Sequence, residues 1–272
     1  MIAIRLPDFY KNKGIIKPKI LILEIALTLT NLKNTMKKFA TIVFFLLSIS
    51  IHAQDLKSFF DKTEQFLKET VSDGKVDYSK IKKAPKLLND ILSIASKIDI
   101  EKENINTQKA FWINTYNLVL IKAIIGKYPV NSPMDIAGLF DIVTFTLDKK
   151  KYSLNDIENK VIRPKFKDAR VHFVLVCGAN GCPPILNQAY SPEKIEDQLN
   201  KQTRIALNNS NFIKVNNKTK KVELSQIFEW YREDFITKKT KEIDMINQYR
   251  EVKIDSSFKI LYYPYDWTLN KK

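Results

Sequence analysis

The chain has 272 residues, with 45 Lys and Arg against 30 Asp and Glu for a formal net charge of +15, and only two histidines and two cysteines. One histidine after residue 54 and a single C-x4-C pair argue against zinc sites of the HExxH or paired CxxC kind. There is no Walker loop, GxGxxG or GxSxG, so no metal or cofactor is expected, and the lysines are dispersed at expected turns and helix ends ("DKKK", "NKTKK", "TKKTK") as solvated surface, without the clustering a nucleic-acid partner would need.

The first element is "MKKFATIVFFLLSISIHAQ" (residues 36–54), two lysines followed by an apolar run from Phe39 to Ile51 and then small or polar residues. It reads as a secretory signal peptide cleaved after Ala53 or Gln54. The run is shorter than the roughly 20 residues a spanning helix needs, and nothing later is longer, so stable membrane insertion is not expected once the signal is removed. Localisation is accordingly expected to be exported, periplasmic or secreted. Residues 1–35 read as a mis-called start extension, with Met36 the true initiator. Residues 1–54 hold eight basic and two acidic residues, which leaves +9 on residues 55–272, expected to be a single globular domain.

Within that domain "DLKSFFDKTEQFLKETV" and "APKLLNDILSIASKI" place apolar residues at spacings of three and four and predict two helices. "TQKAFWINTYNLVLIKAIIGKYP" predicts a third, capped at Asn106 or Thr107, ending at Gly126 and Pro129, and apolar nearly all round, hence buried and central. "TFTLDKKKYSL" reads as a hairpin turned at Asp148 to Lys150, "NDIENKVIRPKF" as a helix opening at Asn155, and "ARVHFVLVC" as a strand buried on both faces. An amphipathic helix ("SPEKIEDQLNKQTRIALNN"), a second hairpin ("FIKVNNKTKKVELS"), two more helices ("SQIFEWYREDF", "KEIDMINQYR") and a strand opening "FKILYYPYDWTLN" complete the chain. The class is α+β, with a helical N-terminal part packed on a small, mostly antiparallel sheet.

Three segments, "FWINTYN" (111–117), "HFVLVCGANGCPPI" (172–185) and "PYDWTLN" (264–270), with "YSLNDIENKVIR" between the first two, together resemble the domain of unknown function 547 family, found in exported bacterial proteins and in some plant and animal multidomain proteins. The resemblance runs from about Gln108 to Asn270. It departs at Val174 and Ile185, where Ala and Leu are usual, and it brings no established activity.

The chemistry centres on Cys177, Cys182 and His172. Two cysteines five apart in an oxidising compartment can close a disulfide around "GANG". Plant members of the family resemble this stretch with serine at the position of Cys182, which implies instead a thiol at Cys177 with a task of its own; an inert buried thiol is the third reading. Strand alternation would put His172 and Cys177 on opposite faces, whereas Cys182, beyond a turn, could fold back towards the imidazole. A thiol–imidazole pair oriented by a third polar group is the usual route to a nucleophilic cysteine, and Glu158 and Asn114 are the residues named for that third role.

Asn114 and Asn117, three apart on one helix face, would either clamp the backbone of a loop or orient a substrate carbonyl. Trp112, Tyr116, Tyr265 and Trp267 would line a pocket or fill the core, and Arg163 joins Asn117, Trp112 and Tyr116 as a candidate substrate-binding residue. Two functions follow. One is a thiol-dependent hydrolase or acyl transferase of the cell envelope, with Cys177, His172, Cys182, Glu158 and Asn114 as its catalytic set. The other is a non-catalytic module binding a small molecule or envelope polymer, with the Cys-loop as a disulfide-stiffened rim.

Overall fold

The structure is a computed structural model that describes residues 18–236 and 240–272, and the chain divides into two units, Met1–Ala53 and Gln54–Lys272. The first unit holds the expected start extension and signal peptide; its residues 1–17 lie outside the described residues, and from Pro18 its backbone is helical. Among the described residues no helix is long and apolar enough to cross a membrane.

The second unit is an α+β domain. Helix α1 (Pro18–Thr70) enters it at Gln54 and buries Phe59, Phe66 and Leu67, the apolar positions that the spacing marks. Strands β1 (Val71–Ser72) and β2 (Lys75–Val76) form a short hairpin whose turn residues Asp73 and Gly74 both have positive φ, as a two-residue turn of the Asp-Gly type requires. Helices α2 (Tyr78–Lys83) and α3 (Lys86–Ala95) follow, and α2 is capped by Asp77, which accepts from Lys80 N at 2.8 Å.

Helix α4 (Ile105–Lys127) is the centre of the domain, and from Thr107 to Ile121 every residue is buried. Its cap is Asn104, not Asn106 or Thr107. The Asn104 carboxamide accepts from both of those backbone amides, at 3.1 and 3.0 Å, so the helix starts two residues earlier than expected.

Beyond α4, strands β3 (Thr144–Leu147) and β4 (Lys150–Ser153) pair about Asp148 and Lys149, both at positive φ. The expected helix after Asn155 is three pieces. Ser153 caps α5 (Leu154–Asp156), a π-helical turn spans Ile157–Ile162, and α6 (Arg163–Phe166) completes it.

The expected strand "ARVHFVLVC" is not a strand. Residues Ala169–Phe173 form a 3-10 turn opened by Asp168, whose carboxylate accepts from Arg170 N, and the chain then runs on through irregular backbone to Cys177. The apolar residues are indeed buried. Their backbone, however, bonds to a side chain: Val176 N–H donates to Asn117 Oδ1 and Val174 C=O accepts from Asn117 Nδ2, at 3.0 and 2.9 Å. A buried run needs its polar backbone satisfied, and here an amide from α4 does part of what a neighbouring strand would do.

Helix α7 (Ile195–Asn208) leads to the principal sheet, β5 (Ile213–Asn216), β6 (Lys221–Ser225) and β7 (Lys259–Tyr263). The sheet is antiparallel across β5–β6 and parallel across β6–β7, with Val222 opposite Ile260 and Leu224 opposite Tyr262. A parallel pair needs a crossover. It carries α8 (Ile227–Trp230), α9 (Arg232–Phe235) and α10 (Glu242–Tyr249), the first two separated by Tyr231.

The buried apolar residues form two clusters, one around α4 and one around the principal sheet with α8 to α10. Cys182 packs against both, so the Cys-loop lies on the seam between them.

Candidate functional site

The loop 177–182 is built by backbone pairing with the segment after β7. Asn180 N–H donates to Thr268 O, Gly181 N–H to Asp266 O, and Asn270 N–H to Gly178 O, at 2.8, 2.9 and 2.9 Å. Gly178 has φ +79°, and a Cβ at Gly181 would stand 2.9 Å from the ring of Tyr265, so both glycines are required by geometry. The segments "CGANGCPP" and "PYDWTLN", far apart in sequence, are therefore one assembly. The "FWINTYN" segment joins it from below. Asn117 holds Val174 and Val176, while Asn114 holds Tyr190 through both its backbone groups, accepting from N at 2.9 Å and donating to O at 2.7 Å.

Cys177 and Cys182 are joined as a disulfide, the first of the three readings left open for them. The hydroxyl of Tyr265 lies 3.0 Å from each sulfur. Burial pushes the Tyr265 phenol well above its ordinary range, so it stays protonated and donates to the sulfurs. No hydrogen bond joins His172 to either sulfur.

His172 and Cys177 nevertheless line the same cavity, which alternation along a strand would forbid. The 3-10 turn changes the period and rotates the imidazole to the side on which the loop later arrives. The ring is buried, stacked on Tyr231 with centroids 4.0 Å apart, and its Nε2 lies 2.7 Å from Asp234 Oδ2. The carboxylate that orients the histidine is thus Asp234, on α9, and not Glu158 or Asn114. Sequence reasoning missed it because 62 residues separate the pair and only the crossover brings α9 over the 3-10 turn.

Arg163 grips the same carboxylate as a fork, Nε to Oδ2 at 2.6 Å and Nη2 to Oδ1 at 3.1 Å, and reaches Glu233 at 3.2 Å. Burial pushes the Asp234 carboxyl up, but the hydrogen bonds from His172 and Arg163 outweigh it and hold the group well below the usual carboxylate range. Arg163 is thus engaged inside the wall.

Glu158 is placed by the π-helical turn. In a regular α-helix, residues 158 and 163 would stand about 140° apart; the wider turn, closed by Arg163 N–H on Glu158 O, brings the two charges to one side. Glu158 is 8% exposed and lines the cavity. Tyr116 donates to its Oε2 at 3.3 Å, and Tyr231 lines the same cavity. Burial first, and the Glu158 charge second, push both phenols up, so both remain donors.

The cavity that these groups surround has a volume of about 310 Å³. Glu158, His172, Tyr116 and the disulfide line it. An aromatic cluster lines it as well. Trp230, Tyr265 and Trp267 pack with centroids 4.8 to 5.9 Å apart, and Phe140 lies 6.5 Å from Trp267. Of the residues offered as substrate-binding, Tyr116 lines the cavity. Trp112 is core, fully buried edge-on to Phe111 and Tyr152 at 5.3 and 5.2 Å. Asn114 and Asn117 are clamps at its back. Trp230 was not anticipated, although its place in "FEWYRED", an aromatic cluster interleaved with charge, was a signal. Among the described residues no group of three His, Cys, Asp or Glu is arranged to hold a metal ion.

Residues 100–205 match the family described as "Protein of unknown function, DUF547". That span includes α4, Glu158, Arg163, His172 and both cysteines, and ends before Trp230, Asp234, Tyr265 and Trp267. No curated protein and no solved structure matches the chain.

Proposed function

We propose, for a chain that residues 100–205 make a member of the DUF547 family, that the domain is an exported ligand-binding module whose ligand enters the cavity beside the Cys177–Cys182 disulfide. One observation carries this reading: both sulfurs are bonded to each other and held by the Tyr265 hydroxyl. A nucleophilic cysteine has to be a thiolate, and a disulfide has none to offer. What stands ready is a preformed, largely apolar cavity with a few convergent polar groups, the usual anatomy of a small-molecule site. Export rests on the signal-like residues 36–54, which end where the second unit begins. Intact mass of the exported protein, with and without reductant and after alkylation, tests the reading. A species two hydrogens light that alkylates only after reduction supports it. Rapid alkylation of one cysteine without reductant would overturn it.

A second reading, a thiol-dependent hydrolase or acyl transferase, is favoured by one specific observation: His172 is oriented by Asp234 and lines the same cavity as both sulfurs. An external dithiol would have to reduce the disulfide first, becoming oxidised in turn. The imidazole would then take the thiol proton, and the thiolate would attack an ester or amide carbonyl. The imidazolium would return that proton to the departing alcohol or amine, leaving a thioester that water or an acceptor nucleophile cleaves to regenerate the thiol. Turnover that appears only in reduced protein and is lost in Cys177→Ala and in Cys182→Ala would favour this reading over the first.

A further inference from the structure

The cavity's own charges narrow the class of ligand, given the reading that it binds one. On a chain with 45 Lys and Arg against 30 Asp and Glu, no Lys or Arg is among the described residues lining the cavity, whereas Glu158 and Asp141 are. Glu158 is buried and makes no ion pair among the described residues. The guanidinium that acts on it, Arg163, directs its hydrogen bonds to Asn159, Glu233 and Asp234 instead. Buried carboxylates are seldom left without a cation. Of the roughly four lone-pair positions on a carboxylate, the hydroxyl of Tyr116 fills one.

The aromatic cluster points the same way. The face of an aromatic ring is the negative part of its quadrupole, and a cation within about 6 Å of the centroid is attracted to it. Trp230, Trp267 and Tyr265 are mutually packed, so they present a continuous wall and not separate plates. A ligand with carbon groups around its charge would meet Trp230, Trp267 and Glu158 within one cavity. An anion would meet the carboxyl groups of Glu158 and Asp141 there, with no Lys or Arg among the described lining residues.

We propose that the cavity binds an organic cation, an alkylated ammonium whose charge is received by Glu158 and whose carbon groups pack on Trp230 and Trp267. The discriminating probes are choline and its neutral isostere 3,3-dimethylbutan-1-ol, which share shape and hydroxyl and differ in charge. Each is titrated by calorimetry, with tryptophan fluorescence in parallel, against the oxidised domain in low salt. Choline is expected to bind at least about tenfold more tightly than the isostere, a charge-assisted difference of about 1.4 kcal/mol. In Glu158→Gln, which keeps the shape and removes the charge, the ratio should fall to within about twofold. The comparison in the unmodified protein needs no variant and so stands even if the substitution unfolds the domain. Equal binding of isostere and choline, or binding of a neutral disaccharide in preference to both, would overturn the cation inference while leaving the ligand-binding reading in place. Binding of none of the three would also overturn it, and the alkylation experiment would then decide separately whether the binding reading stands.

Discussion

Asp234 receives hydrogen bonds from both His172 and Arg163, and the sign of its effect on stability follows from that geometry. Its folded-state carboxyl titrates below the unfolded value of about 3.9. The stabilisation it provides is therefore complete above about pH 4 and is lost as the pH falls through the folded value. Asp156, pulled down to about 2 by Lys160 and Ser153, titrates in the same window, and Asp168, whose burial is outweighed by Arg170, is lowered in the same direction. Melting temperature should thus fall below about pH 4, and Asp234→Asn should flatten the slope between pH 4 and pH 2 without abolishing it. Parallel slopes for the two proteins would remove Asp234 from the account. At this scale the sequence was informative about residue type and poor about partnership. Cys177, Cys182, His172, Glu158 and Tyr116 do share one cavity. The partner that orients the histidine was out of reach, because a hydrogen bond across 62 residues leaves no periodic trace.

Helix α4 shows what kind of element is legible and what its neighbours conceal. Its burial and end were read from a pattern apolar nearly all round, which a central helix satisfies, while its start lay two residues earlier. The run that follows Asp168 was misread because burial without alternation fits a strand, a turn or irregular backbone equally well. What separates these cases is where the backbone hydrogen bonds go, and two of them go to the side chain of Asn117. Asn117→Ala would leave the Val174 carbonyl and the Val176 amide buried and unpaired, a loss of about 2–4 kcal/mol of unfolding free energy. Urea denaturation measures it, and a loss under about 1 kcal/mol would mean that the clamp is dispensable. The π-helical turn was equally invisible, since "NDIENKVIR" has the polarity of an ordinary amphipathic helix. Only the turn's wider repeat places Glu158 and Arg163 together.

For the molecule as a whole, the α+β class and the order of elements follow from pattern, while the parallel β6–β7 pair and the short β1–β2 hairpin were not foreseen. The Asp-Gly turn of that hairpin was a missed local signal. The parallel pair had no local signal at all, because it depends on a crossover of three short helices. The segment after β7 holds the parts together. Leu269 N–H donates to Asn131 O, Asn270 O accepts from Val76 N, and Asn270 Oδ1 accepts from the buried Tyr78 hydroxyl at 2.7 Å. Burial pushes the Tyr78 phenol well up, so it remains a donor that needs this acceptor. Asn270→Ala should lower stability by about 1–3 kcal/mol, read from the denaturation midpoint at unchanged slope. A shift under about 0.5 kcal/mol would show that Tyr78 finds another acceptor.

That closing segment also sets a timetable. Val76 pairs with residues close to 270, nearly two hundred positions downstream, and the Cys-loop pairs with residues 266–270 across almost ninety. During synthesis, α4 and its amide clamps on residues 174–190 can pack while the residues beyond 190 are still being made. The rim of the cavity has no partner until residues 264–270 have left the ribosome. Domains whose defining contacts are this distant fold slowly, and the two cysteines spend that interval on an unpaired loop. The cavity is accordingly the last part of the molecule to exist, and a chain interrupted before Pro264 would keep Glu158, His172 and both sulfurs yet have no cavity in which to use them.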